Sequence, residues 1–273
     1  MKKGSLVSIV IPTKNAERYF ERCLKSIKEQ TYKNIEIIIV DNYSNDATLK
    51  IARRFTNKIY QKGPERTAQT NFGAEIAKGK YVYRVDPDFI LEKNVVKQAV
   101  EKCEKENLGA VAIHNTSDPS VSFWAKVRKF ERDMYIDDNL IVGARFYKKE
   151  AWRKIGGYNE NIILDDYDFH NRLIKHYKWG RIKAKEHHLG EPKDIATIFK
   201  KSYFYGKQVP PYLKKYPLRG FNQSHPLKVS YIRHWDSFIF HPILAFGFLI
   251  MIFVKYLGGL LGIVSTILGR KKY

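Results

Sequence analysis

Residues 81–88 read Tyr81-Val82-Tyr83-Arg84-Val85-Asp86-Pro87-Asp88, a strand pattern from Tyr81 to Val85 that stops at a turn carrying two carboxylates. The same ending recurs upstream. Ile35 to Val40 is a β-branched run with Asp41 at its carboxyl end, and Val7 to Ile11 leads into Pro12-Thr13-Lys14-Asn15. Between these strands the period changes to that of helices. Phe20, Leu24 and Ile27 recur at i, i+4, i+7 behind Asn15, a cap residue; Ala47 to Phe55 follows a turn-rich cluster; and Thr67 to Ala77 stops at Lys78-Gly79. A short strand is expected near Ile59. This alternation predicts an α/β fold, a mostly parallel sheet flanked by crossover helices. Open parallel sheets bind ligands outside the carboxyl ends of their strands, so Pro12 to Asn15, Asp41 and Asp86 to Asp88 are expected to converge.

Further along, the pattern predicts a helix from Leu91 to Lys105, a strand from Ala110 to His114, a helix from Val121 to Tyr135 and a strand around Ile141 to Tyr147 before a Gly156-Gly157 turn. The chain has 273 residues, 44% of them hydrophobic and 14% aromatic, which excludes a disordered chain. With 49 Lys and Arg against 28 Asp and Glu, the net charge of +21 and pI of 9.7 call for an anionic partner. Cys23 and Cys103 lie far apart, without zinc or disulfide spacing, which points to a reducing, cytoplasmic setting.

From Asn171 to Arg233 the chain is basic and aromatic, 15 Lys and Arg against 3 Asp and Glu. Phe238 to Val254 is then almost uninterruptedly apolar, Lys255 breaks the run, and Tyr256 to Leu268 continues it up to Arg270-Lys271-Lys272. Each half falls short of the ~20 residues a span needs. One tilted span, a short hairpin and two interfacial helices all fit, with a buried hydrophobic helix pair as the alternative, and with a cytoplasmic body an even number of crossings, including zero, is expected. The expected organisation is an α/β domain over 1–190, a basic aromatic juxtamembrane segment over 191–236 and membrane-associated helices over 237–273.

The chemistry-bearing residues are acidic. Two carboxylates one residue apart, as in Asp86-Pro87-Asp88, can share a divalent cation with phosphate oxygens, although turns are also rich in Asp. Asp165-Asp166-Tyr167-Asp168 crowds like charges and offers a general base; it equally suits a helix N-terminus with Asp168 paired to Arg172.

Taken as a series, these residues resemble the family 2 glycosyltransferases. Val7 to Asn15 resembles that family's first strand and nucleotide loop, and Ile38 to Asp46 its V-D-D-x-S-x-D element with Asn42 in place of the second Asp. Asn71-Phe72-Gly73 and Ala77-Lys78-Gly79 lead into the D-x-D, and Gly156-Gly157-Tyr158 precedes Asp165-Asp166 as the family's G-G-[FY] turn precedes its E-D element. The resemblance spans about residues 6–175. It implies a GT-A fold followed here by a hydrophobic membrane-associated helical region. It further implies that Pro12, Thr13, Asn15 and Asp41 shape a nucleotide pocket, that Asp86 faces the ribose or metal shell, that Asp88 holds Mg2+ or Mn2+, and that Asp166 is the catalytic base beside Asp165. Arg66 is a nucleotide-sugar candidate. Arg145 and Arg172 are candidate diphosphate or acceptor contacts that also read as surface ion pairs.

His187-His188 offers a downstream metal ligand, assigned to His187, or a plain surface pair. Lys200 and Lys201, beside Gly206 and Lys207, suit a mobile segment over the diphosphate or an amphipathic helix on anionic headgroups. No Q-x-x-R-W motif occurs, so polymer extrusion is not expected. The implied partners are a nucleotide-diphosphate sugar, a lipid-linked or polyprenyl-phosphate acceptor and the cytoplasmic face of the cell membrane. A soluble acceptor, a nucleic-acid-binding protein and an inactive scaffold are the competing readings; acids at strand ends speak against nucleic acid.

Overall fold

The computed structural model describes residues 4–269 and divides the chain into two compact units. The first comprises the chain up to Asn115 with Gly143–Glu160 and Asp165–Leu189. The second comprises Thr116–Val142, Asn161–Leu164 and the chain from Gly190 onward.

The first unit runs β1 (Val7–Thr13), α1 (Glu17–Lys28), β2 (Ile35–Asp41), α2 (Thr48–Ala52), β3 (Ile59–Gln61), α3 (Arg66–Ile76), β4 (Tyr81–Arg84), β5 (Phe89–Leu91), α4 (Val95–Glu106) and β6 (Ala110–Ser117), whose last residues enter the second unit. The second unit supplies α5 (Phe123–Asp133). The chain then returns with β7 (Phe146–Lys148), α6 (Lys149–Lys154), α7 (Asp165–Leu173) and β8 (Trp179–His188). The sheet order is β3-β2-β1-β4-β7-β6-β8-β5. β3, β2, β1 and β4 are parallel, β7 runs antiparallel to both neighbours, and β5 pairs antiparallel with β8.

β1 is buried along its whole length, which is why Ile9, Val10 and Ile11 run on without alternating; the buried Ser8 hydroxyl is satisfied by Glu36 of β2. α3 packs close on it because Gly73 leaves no side chain where a Cβ would meet Val10 Cγ1 at 2.3 Å. The parallel register sets Thr13 beside Asp41, so the first two strands end level with each other.

Three expectations fail. Asn15 does not cap α1; Ala16 does, and Asn15 takes a left-handed conformation (φ 47°) inside the loop. Leu91 opens no helix. Phe89-Ile90-Leu91 is a strand, because β8 brings a partner from a hundred residues away. The strand around Ile141 begins only at Phe146.

The second unit continues with α8 (Ile195–Gln208), α9 (Pro210–Lys215), α10 (Pro217–Ser224), α11 (Val229–Arg233), α12 (Trp235–Phe240) and α13 (Pro242–Gly269). The apolar tail is thus one continuous helix, neither a hairpin nor a pair, long and apolar enough to cross a membrane. Arg270-Lys271-Lys272 lies outside the described residues. A small core of Val127, Met134, Ile198, Tyr231, Phe248 and Met251 joins α5, α8, α11 and α13.

Candidate active site

The β1 and β2 ends are tied to each other. Thr13 Oγ1 donates to Asp41 Oδ1 at 3.0 Å, and Ser44 donates its backbone N–H to Asp41 Oδ2 at 2.8 Å and its hydroxyl to Oδ1 at 2.5 Å. Asp41 is fully buried, so its carboxylate organises the loop. Asn15 completes that loop, accepting from the Asn45 N–H at 3.0 Å and donating its own N–H to Ser44 Oγ at 2.8 Å. Gln69 of α3 donates to the carbonyls of Thr13 and Val40.

At the β4 end the two acidic motifs meet on arginine. Arg84, 0% exposed, places Nη1 2.8 Å from Asp165 Oδ2 and 2.7 Å from Asp166 Oδ1, and Nε 3.6 Å from Asp86 Oδ1. Arg66 binds Asp165 Oδ1 at 2.7 Å and lies 3.9 Å from Asp86. Arg145 reaches Asp86 Oδ2 at 3.3 Å and Glu186 Oε1 at 2.7 Å. A buried cluster of like charges would repel; here guanidinium and carboxylate alternate.

Burial opposes the charge on Asp86, yet Arg84, Arg66 and Arg145 hold its carboxyl well below the usual range. Asp165 and Glu186 shift the other way. Burial pushes both up despite their arginine partners.

Asp88 is less enclosed and faces His188, with Nε2 to Oδ2 at 3.1 Å. The pairing of β5 with β8 sets this up, since Phe89 is opposite His188. Among the described residues, no three His, Cys, Asp or Glu side chains form a cluster that holds a metal. Asp88 and His188 offer one oxygen and one nitrogen donor, which fits a divalent ion whose remaining ligands come from a bound anion and water.

The sequence matches the model of the glycosyl transferase family 2 across residues 8–180. The chain belongs to glycosyl transferase family 2. It is 30% identical to the glycosyltransferase GlyG of Streptococcus pneumoniae over 239 residues, 72% of this chain and 79% of that one. It is 27% identical to a chondroitin synthase of Escherichia coli over 63% of this chain but only 27% of that longer protein.

Among solved structures, the mannosyltransferase PcManGT from Pyrobaculum calidifontis, in complex with GDP-Man and Mn2+, superposes with a TM-score of 0.69 at 16% identity, covering 97% of this chain and 88% of that one. Staphylococcus aureus TarS with UDP-GlcNAc gives 0.59 at 17% identity, covering 85% and 79%. The fold is GT-A-like.

Not every predicted site residue of this family 2 glycosyltransferase joins the cluster. Arg172 does not. Besides Asp168 at 2.8 Å, it donates to the carbonyls of Ile155 at 2.6 Å and Gly157 at 2.7 Å, so it braces the Gly156-Gly157 turn. Both glycines are left-handed (φ 76° and 68°), and Asn71 clamps the next residue from both sides, donating to Tyr158 O and accepting from its N–H.

His187 points away from Asp88 and meets Glu92 at 3.2 Å, because side chains alternate along β8. Its neighbour His188 is the one that faces Asp88. Lys200 and Lys201 sit exposed on α8 of the second unit, with Lys201 donating to Gly190 O at 3.1 Å. Arg84 and Glu186 were missed. Arg84 carried a signal, a charge inside an otherwise apolar strand; Glu186 carried only its spacing of two from His188.

Proposed function

We propose that this chain is an inverting, metal-dependent glycosyltransferase that moves a sugar from a nucleotide-diphosphate sugar to a lipid-carried acceptor, polyprenyl phosphate or a lipid-linked saccharide, at the cytoplasmic face of the cell membrane. One observation carries the reading. A single buried guanidinium, Arg84, touches Asp86 of the D-x-D turn and Asp166 of α7, so the donor-side and base-side carboxylates share one locus. Such closeness is what a single in-line displacement needs.

In that displacement, Asp166 takes the proton of an acceptor hydroxyl as its oxygen bonds to the anomeric carbon. The bond from that carbon to the diphosphate oxygen breaks with inversion, and its electron pair leaves on the diphosphate. An acceptor phosphate arrives as an oxyanion and has no proton to give up. Arg66, whose side chain is 42% exposed, is the guanidinium of the cluster best placed to meet the leaving diphosphate. Asp88 and His188 would hold the metal, and their mixed oxygen and nitrogen donors suit Mn2+ better than Mg2+. When bound, such an ion neutralises charge on the departing diphosphate. The PcManGT complex with GDP-Man and Mn2+ and the TarS complex with UDP-GlcNAc support this donor class. The lipid part rests on α13 and on the basic second unit.

The test is transfer by purified protein from UDP-, GDP- and dTDP-sugars, with Mn2+ or Mg2+, with and without polyprenyl phosphate, beside Asp88→Ala and Asp166→Asn. Asp88→Ala is expected to abolish metal-dependent transfer. With a hydroxyl acceptor, Asp166→Asn lowers kcat about 10²- to 10⁴-fold; with a phosphate acceptor, much of the rate survives. Equal turnover on soluble saccharides without lipid defeats the acceptor assignment. No transfer from any donor by folded protein defeats the enzyme.

A further inference from the structure

We infer that α13 lies flat in the headgroup plane of an anionic membrane leaflet, one face on the protein and the other in lipid, and does not cross the bilayer. This rests on the membrane attachment put forward above and specifies its geometry.

By length the helix could span. Its 28 residues extend about 42 Å at 1.5 Å per residue, against a hydrocarbon core of about 30 Å. What lines it decides otherwise. At the amino-terminal half the partner is α5: a Cβ on Gly247 would meet Val127 Cγ2 at 2.8 Å, and Lys255 Nζ lies 2.7 Å from Glu131 Oε1. α5 carries Lys126, Arg128, Lys129, Glu131, Arg132 and Asp133 in eleven residues. Such a helix cannot enter hydrocarbon. Lys255 is the midpoint of α13, so the half beside α5 is held outside the bilayer core.

The other half has its own partner. A Cβ on Gly258 would meet Phe199 O at 2.8 Å and one on Gly262 would meet Tyr203 O at 2.2 Å, so α8 runs against this stretch. Tyr256 to Gly269 extends only about 21 Å, too short to span alone.

The uncovered face is apolar from end to end. Ile243, Phe246, Phe253, Leu257, Leu260 and Ile267 recur at spacings of three, four or seven residues, which keeps them on one helix face, and are 74%, 67%, 68%, 41%, 60% and 52% exposed. A buried stripe of Gly247, Met251, Gly258 and Gly262 runs opposite them. One face on protein and one face bare along the full length is the pattern of a helix lying in the interface plane. α12 extends it with exposed Trp235 and Phe240, and tryptophan favours the headgroup level. The occupant is set by charge: α8, packed on α13, exposes Lys200, Lys201 and Lys207, which suits anionic headgroups.

Depth measurement on the full-length chain tests this. Single cysteines from F246C, F253C, L260C and I267C carry a bimane label, and quenching is read with lipids brominated at graded depths in phosphatidylglycerol–phosphatidylcholine vesicles. The native Cys23 and Cys103 are buried. The expected result is one shallow depth for all four labels, with vesicle binding at least tenfold weaker on pure phosphatidylcholine. Labels that grade from shallow at 246 to deepest near 253–260 and shallow again overturn the in-plane geometry and leave membrane attachment standing. Absence of quenching overturns both, and self-association that shields the labels without lipid assigns the face to a second copy. None of these outcomes depends on sugar transfer, so a failed depth test and a failed transfer assay are read separately.

Discussion

Arg84 is the residue on which the acidic cluster depends. Asp165 is nearly fully buried, and its oxygens are held by Arg84 and Arg66. Removing one partner of a buried ion pair leaves an uncompensated charge, which costs about 3–5 kcal/mol, more than the pair contributes over an apolar replacement. Arg84→Met, which keeps the volume and loses the charge, is therefore expected to lower unfolding stability by about that amount in urea titration. Arg84→Lys separates structure from positioning. An ammonium cannot reach Asp86, Asp165 and Asp166 at once from a single planar fork. This variant is expected to recover most of the stability while kcat stays reduced and the KM for the nucleotide sugar changes little. A variant that restores both equally would mean Arg84 only holds the fold.

At the scale of elements, α5 and α13 are joined through Glu131. That carboxylate receives Lys255 at 2.7 Å, Arg128, and the Tyr135 hydroxyl at 3.0 Å. Burial opposes its ionisation, but Lys255 and Arg128 overcome it and hold the group well below its ordinary value near 4.5. A carboxyl depressed in the folded state contributes stability that is complete above the unfolded value and fades as pH falls below it. Glu131→Gln is thus expected to be clearly less stable than the parent above about pH 5, with the gap closing as pH drops toward 3. Trp fluorescence during urea unfolding at stepped pH measures it; a constant gap would assign Glu131 a packing role alone.

Elements also mark where sequence reading ends. β1, β2 and β4 were legible because strands buried on both faces are mostly apolar, with Ser8, Glu36 and Arg84 the buried polar exceptions inside them. β5 was not, because three residues become a strand only when β8 arrives. The D-x-D turn and the α7 acids were visible as motifs, whereas the arginines that join them act across 81 and 82 positions, as Arg84 does to Asp165 and Asp166. Arg172 misled for the converse reason, since its i,i+4 pair with Asp168 was readable and its bonds to the Gly-Gly turn were not.

At the scale of the whole molecule, the proposed membrane attachment draws on two terms that obey different laws, the lysines of α8 and the bare face of α13. Headgroup attraction is coulombic and decays over a Debye length of about 10 Å at 0.1 M salt and about 3 Å at 1 M. Burial of apolar side chains does not weaken with salt in that way. Binding to phosphatidylglycerol-containing vesicles should therefore fall steeply between these salt concentrations to a residual level instead of to zero. Each lysine near such a surface is worth about 1 kcal/mol, so Lys200→Gln with Lys201→Gln should weaken low-salt binding about 30-fold. The same double variant should bind almost as the parent does at 1 M salt, because what remains there is the apolar face. Phe246→Asp with Phe253→Asp should do the reverse, leaving a salt-sensitive attraction and removing the residual. Binding that vanished entirely at high salt would mean the aromatic face of α13 never enters the leaflet, and that the basic surface alone brings this glycosyltransferase to it.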